Sequence, residues 1–189
     1  MPLSLQDFQP LPPLLVCADL QGDELGPDMR GRCDETLDKC RRLMAHWRSR
    51  HWPVLHLKRI ARASWFDISH AGSDWMKDFR PRPGELTFEH ALPSAYSSSR
   101  FVDYMRNVRP ETSIMVGLSL DQTILSSAID GFHRGYRHQV VADAVDTTRQ
   151  PPSSRDTLVT VLSNFSSTIQ TSGLLRPDER AEKTGESRK

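Results

Sequence analysis

A chain of 189 residues can bury one good core but is too short for two ordinary domains, and its 25 basic and 24 acidic side chains leave a formal charge of +1. The charges are interspersed rather than gathered into a stripe, which argues against a nucleic-acid partner; no run approaches the about 18 apolar residues of a membrane span. The opening MPLSLQDFQP has neither a basic nor an apolar leader segment, so a soluble cytoplasmic protein with no membrane partner is expected.

Residues 1–11 read as an extension, 12–175 as the folded domain and 176–189, charged and without apolar periodicity, as a disordered tail. Pro12 to Gln21 is an unbroken apolar run closing on an acid, as suits a buried parallel strand with Asp19 at its end. Cys17 alternates with Asp19 there, which fits either a thiol beside a carboxylate or a small core residue. With Cys33 and Cys40 it makes an odd number at spacings that match no zinc pattern, so reduced thiols are expected. A Gly/Pro/Asp loop follows, then a helix capped at Asp34 whose Leu37, Cys40, Leu43, Met44 and Trp47 share a face.

Pro53 to Ile60 reads as the second strand and Ala61 to Glu85 as a long loop, of a length that is usually functional. A short strand at Leu86 to Glu89 and a turn at Ala91 to Pro93 precede a helix near Ser98 to Val108, ended by Pro110. Ser113 to Leu118 is another apolar strand, followed by a helix with Ile124, Ala128 and Phe132 on one face and Gly135 as its stop. His138 to Val145 makes a fifth strand, Ser154 to Asn164 a helix, and Ser167 to Thr171 a short last strand. This alternation predicts a doubly wound, three-layer α/β/α Rossmann-like domain around a mostly parallel sheet of about six strands.

Ligand sites in such sheets lie beyond the carboxyl ends of the strands, where Asp19, the segment after Glu89 and the turn from Gly117 to Thr123 converge. Three motifs there carry a resemblance. LLVCADLQGDEL sets Asp19 two places before Gln21; His90 stands four places before Ser94-Ala95-Tyr96; and Gly117-Leu118-Ser119-Leu120-Asp121-Gln122-Thr123 opens a helix. In order, and followed by AIDGFHRGYRHQVVADAVDTT, they resemble the isochorismatase-like (cysteine hydrolase) superfamily from about Pro13 to Thr171, with His90 at the family's lysine position and Thr123 at its cysteine position.

The resemblance implies catalytic positions Asp19, His90 and Thr123, and substrate-binding positions Gln21, Trp65, Tyr96, Leu118, Ser119 and Gln122. In the family a thiol at a helix N-terminus attacks an amide, an aspartate takes its proton and backbone amides hold the oxyanion. A threonine hydroxyl is far less acidic, so the implied activity is a non-cysteine hydrolysis of a small metabolite. Asp19 would be the acid/base on a vinyl ether, the chemistry of the true isochorismatases, assisted by His90. The alternative is a degenerate member that binds a metabolite or protein partner without turnover.

Trp65, Phe66, Trp75 and Tyr96 are candidates to wall a pocket, and Arg59 and Arg62 to clamp a substrate carboxylate. Asp67-Ile68-Ser69-His70 lacks the Asp-x-His spacing of the metal-binding relatives, so neither metal nor cofactor is expected. A homo-oligomer, dimer or tetramer, is what the resemblance implies.

Overall fold

The computed structural model describes residues 11–22, 27–60, 74–147, 151 and 154–175. Six strands form one sheet: β1 (Leu14–Ala18), β2 (Val54–Arg59), β3 (Leu86–His90), β4 (Ser113–Gly117), β5 (His138–Val145) and β6 (Ser167–Ile169). Every pairing is parallel, in the order β3-β2-β1-β4-β5-β6. The chain winds outward from β1 to β3, then crosses β1 to begin again at β4, so the switch point lies between β1 and β4. Those two strands are buried along their whole length, which is why they read as continuous apolar runs.

Side-chain alternation sorts the core into two layers. Leu15, Cys17, Ile114 and Val116 meet Leu37, Cys40, Leu43, Met44 and Trp47 of α1 (Pro27–Ser49). Val16, Ala18, Leu57 and Met115 face the other way, toward Phe101 and Met105 of α2 (Ser99–Val108), Ala128 of α3 (Leu125–His133) and Leu162 of α4 (Ser154–Leu162). Leu174 of α5 (Thr171–Leu174) joins the α1 layer.

Two local expectations are corrected. The helix expected to be capped at Asp34 begins at Pro27, leaving Asp34 in its interior. A proline in the first helical position gives up no hydrogen bond, and Gly31 costs only about 1 kcal/mol in a helix of this length. Phe132, expected on the buried face of α3, is 53 % exposed and meets Phe165 edge-on; the inward stripe is Ser127, Ala128 and Gly131.

Gly131 is small because His138 occupies the space a side chain would need: an added Cβ would fall on the imidazole and lie 3.2 Å from the Tyr96 hydroxyl. His138 sits between the Ser113 hydroxyl, 2.5 Å from Nδ1, and the Tyr96 hydroxyl, 2.9 Å from Nε2. Burial opposes its charged form and brings its pKa down to about 4. The unfolded chain, with His138 near its ordinary 6.5, takes up a proton that the native state refuses, so stability should be full above that value and fall as pH drops toward 4. The full effect is on the order of 3 kcal/mol. Urea unfolding at pH 7.5, 5.5 and 4.5 should show the decline, and His138→Gln should flatten it; an unchanged slope in the variant would reject this account.

All three cysteines are free and buried. Burial raises each thiol's pKa, Cys40 to about 12. The carboxylate suggested as a neighbour for Cys17 lies elsewhere, because Asp19 takes a left-handed backbone (φ 50°) that breaks the alternation of β1.

Candidate functional site

Asp19, Arg59 and His90 stand at the carboxyl ends of the adjacent strands β1, β2 and β3, with Arg59 and His90 paired in register. Thr123 reaches the same point from β4. There Gly117 (φ 122°) and Ser119 (φ 61°) turn the chain, and residues Leu120–Ile124 form a π-helical turn before α3. Two left-handed non-glycine residues, Asp19 and Ser119, thus flank the switch point, the kind of backbone strain that clusters at functional sites.

The side chains close into one network. The Asp19 carboxylate accepts from Arg59 Nε (3.1 Å) and Nη2 (3.0 Å) and from the Thr123 hydroxyl (2.6 Å) at Oδ2, and from His90 Nε2 (2.9 Å) at Oδ1. Thr123 Oγ1 in turn accepts from Arg59 Nη2 at 2.5 Å, and Gln122 Oε1 from Arg59 Nη1. His90 Nδ1 faces the Leu92 carbonyl at 2.8 Å. Both ring nitrogens of His90 are thus engaged, one by Asp19 and one by the Leu92 carbonyl.

Burial, the largest influence on Asp19, favours its neutral form. Hydrogen bonds and charge from His90, the Arg59 guanidinium and the Thr123 hydroxyl outweigh it and hold the carboxyl below its ordinary range. Asp19, His90 and Thr123 are each at most 2 % exposed, so a ligand meets Arg59 before it meets them.

The remaining predicted residues divide. Gln21 is buried and brackets the backbone of Arg59, accepting from its N–H (2.8 Å) and donating to its carbonyl (3.0 Å). It therefore fixes where that arginine starts. Gln122 touches Arg59 directly, and Ser119 supplies the carbonyl that receives the Gln122 and Ile124 amides. Tyr96 lies in the core, its ring stacked on Tyr136 and its hydroxyl on His138. Leu118 packs in the α1 layer. Trp65 lies outside the described residues, as do Phe66, Arg62 and the Asp67 to His70 segment. Trp75 sets its ring edge-on to His56.

Of the backbone amides in the turn after β4, those of Leu118, Leu120 and Gln122 donate to the Ala18, Asp146 and Ser119 carbonyls. Among the described residues no group of three or more His, Cys, Asp or Glu side chains is arranged to hold a metal ion. No helix among them is long and apolar enough to cross a membrane.

Arg59, a candidate clamp for a substrate carboxylate, also stands at the centre of the network, which the sequence did not show. Its signal was position: it ends β2 as Asp19 ends β1 and His90 ends β3.

A six-stranded parallel sheet covered on both faces, with its polar cluster at the switch point, is the architecture of isochorismatase-like hydrolases. The chain belongs to the isochorismatase family, matching the isochorismatase domain over residues 13–172. It is similar in fold to an isochorismatase-like hydrolase from Alkaliphilus metalliredigens (TM-score 0.76, 16 % identity, covering 87 % of this chain and 97 % of that one). An isochorismatase from Pseudomonas putida KT2440 is similar at TM-score 0.73 and 19 % identity, over 89 % of this chain and 94 % of its own. N-carbamoylsarcosine amidase from Thermoplasma acidophilum is similar at 0.70 and 22 %, over 85 % and 97 %. No curated protein matches the chain.

Proposed function

We propose that this family member recognises a small carboxylate-bearing metabolite at the Asp19–Arg59–His90 cluster without covalent turnover. The observation that carries this reading is the saturation of Asp19: both oxygens are engaged by Arg59, His90 and Thr123, and the carboxyl is held ionised. A general acid must carry a proton, and a general base must have a free lone pair aimed at the reacting group. Asp19 at rest carries no proton to give, and the hydroxyl its lone pair meets, that of Thr123, is too weakly acidic to be ionised by a carboxylate held below its ordinary range. The Arg59 guanidinium is the fixed cation of the cluster and the member a ligand reaches first, a planar fork suited to a carboxylate.

A hydrolytic reading has one observation in its favour. The line from His90 Nε2 to Asp19 Oδ1 is a proton path, and with Arg59 swung aside Asp19 would regain basicity and could act on a vinyl ether.

The two readings part in one experiment. Benzoate, nicotinate and isochorismate are incubated with the protein at high concentration, following melting temperature and product together. A ligand present at 100 times its Kd should stabilise the protein by about 2.7 kcal/mol and be recovered unaltered, and Arg59→Ala should remove that stabilisation. Product formation by the wild-type chain, abolished in Asp19→Asn, would reject binding without turnover and establish the hydrolytic reading.

A further inference from the structure

We propose that the cleft between the second half of α1 and the segment leading into β3 binds a small ligand carrying two or more phosphate groups. The cleft has a volume of about 440 Å³, with Arg41 and Arg48 on the α1 side and Lys77, Arg80 and Arg82 opposite; Asp78 is the one carboxylate among its lining residues. It lies at the amino ends of the strands, since Arg48 is in the last turn of α1 and Arg82 precedes β3. Asp19 is at the other end of the sheet, so this inference does not rest on the function proposed for that site.

The cations are of two kinds. Arg48 is anchored, with Nε and Nη2 on the Glu85 carboxylate (2.7 and 2.9 Å), and Arg41 is held by Asp38 (3.1 Å) and Asp78 (3.2 Å) over the Phe79 ring. Lys77, Arg80 and Arg82 are exposed, and their side chains have no carboxylate partner among the described residues. Five cations meet three carboxylates, Asp38, Asp78 and Glu85, which leaves two positive charges facing one cleft.

Anchored guanidinium groups supply direction, and exposed cations opposite them add charge from the other side of the cleft. That combination suits clustered oxygens with a charge of at least two, as in a diphosphate, better than a single carboxylate. Met44 and Ala45 give the cleft an apolar floor, and its size lies within the range of about 300–1,000 Å³ usual for small-molecule sites. A nucleic-acid backbone is the less suitable occupant, because the chain as a whole carries a formal charge of only +1. The carbonyl end of α1 opposes an anion only within its last turn, and Arg41 lies two turns back.

The test is calorimetric titration of the full chain with pyrophosphate at about 0.15 M salt, where surface charge is screened within about 8 Å. One site is expected, with inorganic phosphate at least tenfold weaker. Arg80→Ala/Arg82→Ala should weaken pyrophosphate at least tenfold without altering the unfolding transition, both side chains being exposed. Arg59→Ala should leave pyrophosphate binding unchanged while removing any response to carboxylates. Absence of binding at millimolar pyrophosphate, or equal affinity in the double variant, would overturn the proposal. So would a single-stranded oligonucleotide binding as tightly as pyrophosphate, which would make the cleft part of a nucleic-acid surface.

Discussion

Replacing Gly117 by alanine is expected to cost more than about 3 kcal/mol of stability, the sum of a strained backbone and an overpacked one. Gly117 has φ 122°, a conformation that L side chains rarely adopt. An added Cβ would fall on the carbonyl oxygen of Ala18 and lie 2.9 Å from its nitrogen. Neither atom can yield, because both belong to β1, the central strand, and the Leu118 amide donates to that same carbonyl at 3.0 Å. The damage should also reach the site, since Ala18 precedes Asp19 and Gly117 leads into the turn that carries Thr123. Urea denaturation is the measurement. A loss under 1 kcal/mol would mean that β1 and β4 can separate at their ends, against the close approach described.

Asp19→Asn should be nearly as costly, about 3–5 kcal/mol, the usual penalty for removing one partner of a buried ion pair. The substitution keeps the shape and removes the charge, leaving the Arg59 guanidinium and the His90 ring facing a neutral amide in a site where His90 is 2 % exposed. This prediction also bears on function. An active-site acid held in strain for catalysis often makes its protein less stable, so its removal stabilises. A charge that organises its surroundings does the reverse. Chemical denaturation of Asp19→Asn, Arg59→Gln and the double variant separates these cases: strong coupling, with the double variant losing less than the sum, is expected. A more stable Asp19→Asn protein would indicate a strained catalytic group and favour the hydrolytic reading.

The fold was legible where burial on both faces wrote a continuous apolar run, as in β1 and β4, which fall where Pro12 to Gln21 and Ser113 to Leu118 placed them. β5 falls at His138 to Val145 as expected, and alternation with helices carried the parallel three-layer architecture. Helix ends were less legible. Pro27 and Gly31 read as loop residues because local propensity cannot see that Cys33, a few places on, is buried against the sheet and that the helix runs through them. At the site, sequence order brought Asp19, His90 and Thr123 to one end of the sheet, and the structure joins them within one hydrogen-bonded network. The network's centre was less visible: an arginine at a strand end can point to solvent or fold back over its neighbour. Only the third dimension shows Gln21 gripping its backbone and Asp19 its guanidinium. Tyr96 and Leu118 belong to the motifs in sequence, yet both side chains pack in the core.

The sealed thiols of this protein have a practical consequence. Cys17, Cys33 and Cys40 lie within or against the α1 layer, each fully enclosed and hard to ionise. An alkylating reagent should therefore leave the native chain untouched and mark a molecule only when helix and sheet part. The chain carries its own clock for breathing, and timed labelling would report how often that layer opens without any engineered probe.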